Sequence, residues 1–421
     1  MQSLQQLKNL RIGSLYWIQV SYAIKNVVEI IMMPPQQTEE YLLKSTFGHM
    51  IFKQGRFFAN DFICSMQALM WHQFIAERYS YSMDFWYSIC LRLVSHGIPM
   101  IIMSLISYSI GYITPKLVIQ QITFNSQWFN NLQSCYELLG LNTQLCLAAT
   151  TIYYICKKLR LKTIKVFIFL GCFSVFLRSV IVYYLHSNNL LHDYSLRYLT
   201  DTNTITQFYH FCFGFASGEY LNKFETKSKM LFNQPLQIKI VKIHKEINLA
   251  IEYSCYFVLL ICVYLDSVVQ LSSENTQINS TLLLFARLLT KPTYGIIIWV
   301  LINTKEIQFS RNIQQKKESK KGKFIIPGYT QPHLSMLAAQ PLSALIRLSV
   351  GQTVIGPYHP RIFIMLAIGV LVFQHFLGEI CMNLFNWFMQ DIYGSVSNYF
   401  DNKKRQRISR LIKESIYNGC E

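Results

Sequence analysis

Charged residues are scarce in this chain, and their scarcity argues against an ordinary soluble domain. Asp, Glu, Lys and Arg make up 14% of the 421 residues, whereas hydrophobic residues make up 52%. A soluble domain carries charge on roughly a quarter of its residues. Long polar stretches between the apolar runs are also missing. The sequence therefore predicts one membrane domain, and not a membrane anchor attached to a soluble domain.

Other motifs are missing as well. The 11 cysteines include no C-x-x-C pair, so the sequence indicates neither a zinc site nor a disulfide framework, and we predict no metal or other cofactor. The first apolar run, residues 12–33, is long enough to span a bilayer and lacks a small-residue cleavage site, which favours a span over a cleaved signal peptide. Lys and Arg lie mainly in short segments between apolar runs, which argues against nucleic acid as a partner.

Apolar runs near the length needed to cross a bilayer, roughly 20 residues, recur along the whole chain. We predict ten spans at about residues 12–33, 58–76, 86–113, 138–156, 163–185, 205–221, 247–265, 281–303, 335–355 and 361–383. The predicted fold is thus an all-α integral membrane protein with one ten-helix bundle, residues 1–383. A basic tail follows at residues 384–421, and its last 20 residues have the spacing of an amphipathic helix.

The distribution of basic residues supports an even number of spans. If the spans alternate in direction, one face of the membrane receives 26 Lys and Arg residues and the opposite face receives 5. Loops on the cytosolic or matrix side carry such an excess of positive charge. This asymmetry predicts that both termini lie on the positive face, whose charge would suit anionic lipids such as cardiolipin.

Six short phrases succeed one another along the predicted spans. They are Leu7-Lys8-Asn9-Leu10-Arg11 before Trp17-Ile18, Phe57-Phe58-Ala59-Asn60-Asp61, Leu91-Arg92 leading to Pro99, Gly214 to Gly218 followed by Tyr220, Lys291-Pro292 leading to Trp299, and Leu345-Ile346-Arg347-Leu348-Ser349 leading to Pro357. In this order they resemble the motifs of membrane acyltransferases of the nose-resistant-to-fluoxetine type. The resemblance covers most of the chain and implies a multi-span bundle with an acyl-donor site.

The chain departs from this family where the chemistry should be. The family carries a basic His in the first span, and here Tyr22 stands in that place. A phenol with a reference pKa near ~10 is a poor base at neutral pH. The late motif that should contain a second His has Gly356 instead. The resemblance therefore implies a degenerate acyltransferase, and His96 is the first substitute base that we consider.

Charged side chains within the predicted spans are candidate functional residues, because a charge at the bilayer centre is costly unless it faces a cavity or a partner. Arg92, Arg347, Arg287 and Lys291 are the candidates for binding the phosphates of an acyl donor or a lipid. The alternative for all such charges is pairing across helices; the others are Asp61, Arg178, Glu219, Glu252 and Glu379. His210 and His375 are lone mid-span histidines, for which a hydrogen-bonded core position is the default interpretation.

We consider three hypotheses for function. The first is a non-catalytic, acyltransferase-like protein that serves as a structural or lipid-binding accessory subunit of a larger membrane assembly. A mitochondrial respiratory complex of the inner membrane is the location we expect, with the endoplasmic reticulum or plasma membrane as alternatives. The second is an active O-acyltransferase that uses an acyl-CoA or lipid donor. A transporter has less support, because matched interrupted helices in two halves are not evident.

Overall fold

The computed structural model describes residues 82–191, 196–231, 250–265 and 281–300 with short gaps, and scattered positions at 17, 64–72 and 368–410. Over these residues the chain is helical and contains no strand. The helices bounded on both sides are α1 (Ser82–Ser109), α2 (Pro115–Ile122), α3 (Tyr136–Lys158), α4 (Thr163–Ser187), α5 (Tyr198–Asp201) and α6 (Thr204–Leu231). The all-α class predicted from the sequence is therefore confirmed for this part of the chain.

The boundary between α1 and α2 differs from the prediction. The sequence placed a span at residues 86–113, but α1 ends at Ser109 and the chain turns at Gly111, which has a φ of 76°. Thr114 then caps α2 by accepting a hydrogen bond from the Leu117 amide, and Pro115 begins that helix. Ser or Thr before Pro is a common helix start. This pair was the signal for α2 that the apolar count missed.

The helices α3, α4 and α6 agree with the predicted spans in position but differ in length. Helix α6 continues to Leu231, ten residues beyond its predicted end at 221. It packs most extensively against α4. Gly171 of α4 makes this possible, because a Cβ atom at that position would lie 2.9 Å from Cε1 of Phe213. The central apolar core lies among the 64–72 segment, α3, α4 and α6. Five residues of this segment are described and all are helical: Cys64, Ser65, Ala68, Trp71 and His72.

Two of the described helices are long and apolar enough to cross a membrane, residues Phe85–Ser109 of α1 and all of α4. Large side chains cover the outside of α4, among them Phe169, Phe176 and Tyr183, each more than 60% exposed. A shorter apolar helix runs from Tyr253 to Leu265. The predicted spans at 12–33 and 335–355 lie outside the continuous described ranges, so the number ten stays a prediction. The described residues from 398 to 410 are helical, as predicted for the tail.

Candidate functional site

A group of buried polar side chains lies where α1 meets α3 and the 64–72 segment. Arg92 and His96 are four residues apart on α1 and are 7% and 3% exposed, respectively. Positions i and i+4 lie on the same face of a helix. The side chains that they meet come from helices that are distant in sequence, at Trp71 and Thr143. The structure therefore brings together two of the residues that the sequence singled out.

His96 is held by a short chain of hydrogen bonds to α3. Its Nδ1 lies 2.9 Å from Oγ1 of Thr143, and that hydroxyl donates to the Leu139 carbonyl at 2.8 Å. Because the Thr143 proton is used for the carbonyl, Nδ1–H of His96 is the donor to Thr143. The neutral ring then carries its lone pair on Nε2. This is the tautomer that a base acting through Nε2 requires.

Arg92 lies against an aromatic ring. Its guanidinium carbon is 5.3 Å from the centroid of Trp71, and a cation–π contact stabilises a buried arginine. The Trp71 indole in turn donates to Oγ1 of Thr150 at 2.8 Å, and Thr150 donates to the Cys146 carbonyl at 2.7 Å. Arg92 also interacts with the Cys146 thiol. One turn of α3 thus fixes both the arginine and the ring that covers it.

A second polar contact joins the 64–72 segment to α6. Nε2 of His72 lies 2.9 Å from Oε2 of Glu219, the His72 side chain is fully buried, and the Glu219 side chain is 13% exposed. The His72 ring also packs edge-on against Phe215, with centroids 4.7 Å apart. Glu219 was among the predicted intramembrane charges, but His72 was missed. Its partner lies 147 residues away, and a lone His in an apolar run gives no sequence signal for such a pair.

The glycines of α6 let this contact form. A Cβ atom on Gly214 would lie 2.2 Å from the Ser65 carbonyl oxygen, and one on Gly218 would lie 2.6 Å from Nδ1 of His72. Both distances are too short for real atoms. A pair of glycines at this spacing allows such a close approach of two helices. It also places the Gly218 backbone against the second nitrogen of the His72 ring.

The side chain of Arg178, in the second half of α4, contacts the backbone of Arg287. The Arg178 side chain is 1% exposed and donates to two backbone carbonyls, those of Thr200 at 3.3 Å and Arg287 at 2.7 Å. Arg287 is itself buried. Two carbonyls from different helices thus converge on one guanidinium, whose planar group of donors suits this geometry. Arg178 thus holds helices together through backbone carbonyls, and the pairing of charges across helices that the sequence left as the alternative stays a prediction.

His210 is also a core residue. It is fully buried, its ring centroid lies 3.8 Å from that of Tyr209, and both rings approach Gly295 of a neighbouring helix. Tyr22, Gly356, Arg347, Lys291 and His375 lie outside the described residues. Within the described part, no group of three or more His, Cys, Asp or Glu residues has the arrangement of a metal site.

Comparison with known proteins found no relative of this chain. No family model, no curated protein and no solved structure matches the chain. The likeness to membrane acyltransferases therefore rests on the six short phrases, two of which include described site residues, Arg92 and Gly218. Function has to be inferred from the geometry around these residues.

Proposed function

We propose that this protein is a non-catalytic, acyltransferase-like membrane protein that acts as a structural or lipid-binding accessory subunit of a larger membrane assembly. The observation that carries the proposal is the use of the buried polar side chains. His96, Arg92 and His72 each contact a side chain of another helix within the bundle. Such contacts fix the helices relative to one another, which is a structural role.

The surface of α4 supports a membrane location. Its Phe169, Phe173 and Phe176 side chains are 68%, 49% and 61% exposed. In water, a monomer rarely exposes apolar patches of more than about 600 Å². Lipid chains or the apolar face of a partner subunit would cover these rings and remove them from water. The basic face of the bundle would suit the matrix side of the mitochondrial inner membrane and its cardiolipin.

An active O-acyltransferase is the alternative, and one observation favours it. With Nδ1 of His96 donating to Thr143, the neutral ring would have its lone pair on Nε2, and Arg92 lies one helical turn away on α1. A base and a cation at this spacing could accept a hydroxyl proton and hold a phosphate of an acyl-CoA, with Arg347 as a second phosphate ligand. The ring of Trp71, however, already covers one face of Arg92.

Native size and acyl transfer, measured on the same preparation, test the proposal. The tagged protein would be extracted from its own membranes with a mild detergent, sized on a native gel, and incubated with radiolabelled acyl-CoA and a hydroxyl acceptor. We expect migration with a complex several times its mass and no transfer above a protein-free blank. Migration as a lone chain, or transfer that His96→Gln abolishes, would contradict the proposal.

A further inference from the structure

The turn between α3 and α4 combines features that a simple connection does not need. The Leu161 amide donates to the Cys156 carbonyl at 2.8 Å, and the Arg160 amide donates to the Lys157 carbonyl at 3.3 Å. This pair of bonds is the Schellman motif, which ends a helix with one left-handed residue. Helix α4 begins two residues later, at Thr163. We call residues 157–165 the basic hairpin.

Positive charge dominates the basic hairpin. It carries five cations and no acidic residue, and every one of the cations is exposed: Lys157, Lys158, Arg160, Lys162 and Lys165. No Asp or Glu occurs anywhere between Glu137 and Asp193. The cations therefore have no acidic neighbour close in sequence. Helix α4 adds to the positive potential, because its N-cap residue, Lys162, makes no side-chain capping bond to the amides of the first turn.

Arg160 occupies a position where an arginine costs energy. Its φ is 54°, in the left-handed region that glycine and asparagine adopt most easily. The other end of α4 has the same motif, with amide bonds from Leu190 to Leu185 and from Asn189 to His186. The left-handed residue there is Asn189, with a φ of 56°, a residue well suited to it. The same turn therefore follows both α3 and α4, and in the turn after α3 the left-handed position is occupied by an arginine, which adopts it less easily than asparagine does.

Two exposed leucines alternate with the cations. Leu159 is 61% exposed and Leu161 is 49% exposed, and they flank Arg160 on either side. An apolar residue at the position of Leu161 is common in a Schellman motif, and Leu190 occupies it in the other turn, but the motif does not call for a leucine at residue 159. At the boundary of a bilayer, their side chains would enter the hydrocarbon while the neighbouring cations stay among the headgroups.

We propose that the basic hairpin is a binding site for anionic phospholipid, with Arg160 and its neighbouring lysines on the lipid phosphates and the two leucines among the acyl chains. The orientation of the bundle requires only that this face be basic. It requires neither an arginine in a left-handed conformation nor an exposed leucine at residue 159. The inference locates the site of the proposed lipid-binding role, and it rests on that role.

Lipid titration of the purified full-length protein tests this site. Cardiolipin or phosphatidylcholine would be added in nonionic detergent, and bound lipids would be counted by native mass spectrometry. Each cation near a membrane surface contributes about 1 kcal/mol to its attraction for anionic lipid, so one removal should weaken binding about five-fold. We expect cardiolipin to bind and phosphatidylcholine to bind at least ten-fold more weakly.

Two matched variants separate charge from the shape of the turn. Arg160→Gly relieves the left-handed strain while it removes one cation, so the protein should stay as stable as the wild type and bind cardiolipin about five-fold more weakly. Asn189→Gly makes the corresponding change in the uncharged turn and should leave binding unchanged. Replacing the four lysines with glutamine together should weaken binding by about 600-fold if the contributions add.

Several results would overturn the site. Equal binding of the two lipids would do so, as would unchanged cardiolipin binding by Arg160→Gly, or an equal loss in Asn189→Gly. Displacement of cardiolipin by millimolar inorganic phosphate would show a site for a free anion instead. Because this titration needs no partner subunit, a failure here leaves the native-gel test of the assembly unaffected. A lone chain on the native gel would in turn leave the lipid titration informative.

Discussion

Replacement of Gly214 with alanine tests whether α6 and the 64–72 segment are in direct backbone contact. The added Cβ atom would lie 2.2 Å from the Ser65 carbonyl oxygen and 2.9 Å from Cβ of Ala68. Non-bonded heavy atoms prefer separations near 3.5–4.0 Å. The helices would therefore have to separate by roughly 1 Å or more. The oxygen belongs to a helix backbone and cannot rotate away, so the strain cannot be relieved by one side chain.

The expected cost of Gly214→Ala is the difference between two effects. Inserting a methyl group into a packed contact typically costs about 1–3 kcal/mol. Alanine is favoured over glycine inside a helix by about 1 kcal/mol, which offsets part of that cost. Because the clash here is with backbone, we expect a net loss of about 2 kcal/mol in the free energy of unfolding. Gly369→Ala is the matched control, since Gly369 is helical, exposed, and has nothing within 4 Å of the added Cβ atom.

Buried thiols supply the assay for this comparison. Cys64, Cys146 and Cys212 are fully buried in the core. Exposed thiols such as Cys172 would react with a thiol-reactive fluorescent dye before heating, whereas the dye should reach the buried ones only on unfolding, so the increase in fluorescence on heating in detergent reports the transition. We expect Gly214→Ala to unfold about 2 °C or more below the wild type, and Gly369→Ala at or slightly above it. If Gly214→Ala unfolds at the wild-type temperature while the control behaves as expected, the close-contact geometry is wrong.

Two further predictions concern the hydrogen bonds between helices and use the same thermal assay. Thr143→Val should lower the free energy of unfolding by about 1–3 kcal/mol, because Nδ1 of the buried His96 loses its acceptor. Thr151→Val is the control, since it removes only an exposed hydrogen bond to the Leu147 carbonyl on the same helix. Equal effects of the two changes would contradict the prediction. The second prediction is a double-mutant cycle of His72→Phe and Glu219→Gln. The two changes should show a coupling energy of about 1.5–3 kcal/mol, because the hydrogen bond between these side chains involves a carboxyl group that is charged when ionised. Strictly additive effects would show that the contact contributes nothing to stability.

The sequence predicted features that depend on local spacing. Gly214 and Gly218 lie four residues apart, so both face one neighbouring helix wherever α6 packs. Arg92 and His96 share a face of α1 for the same reason. The positions of α3 and α4 could be read from their apolar runs, because each helix begins and ends within two residues of the predicted bounds. These predictions needed no knowledge of what each helix contacts.

Features that depend on contacts distant in sequence could not be predicted. His72 and Glu219 are separated by 147 residues, and the sequence around one residue does not indicate that it contacts the other. Arg178 donates to the carbonyls of Thr200 and Arg287, and every residue has a carbonyl whatever its side chain. The short helix α2 was missed for a different reason. It is too short and too polar to be found by a search for long apolar runs, although Thr114 and Pro115 are typical of a helix start.

The glycine contact bears directly on the choice between enzyme and subunit. The close approach of Gly218 that seats His72 beside Glu219 also places backbone against Nδ1 of the ring, so no substrate atom can occupy that side without separating the helices. His96 is likewise anchored through Nδ1, and Arg92 lies against Trp71. Among the described residues, these polar side chains therefore hold neighbouring helices together on at least one side. The aromatic side of α4 and the basic hairpin are exposed, and the proposed subunit would meet lipid and its partners there.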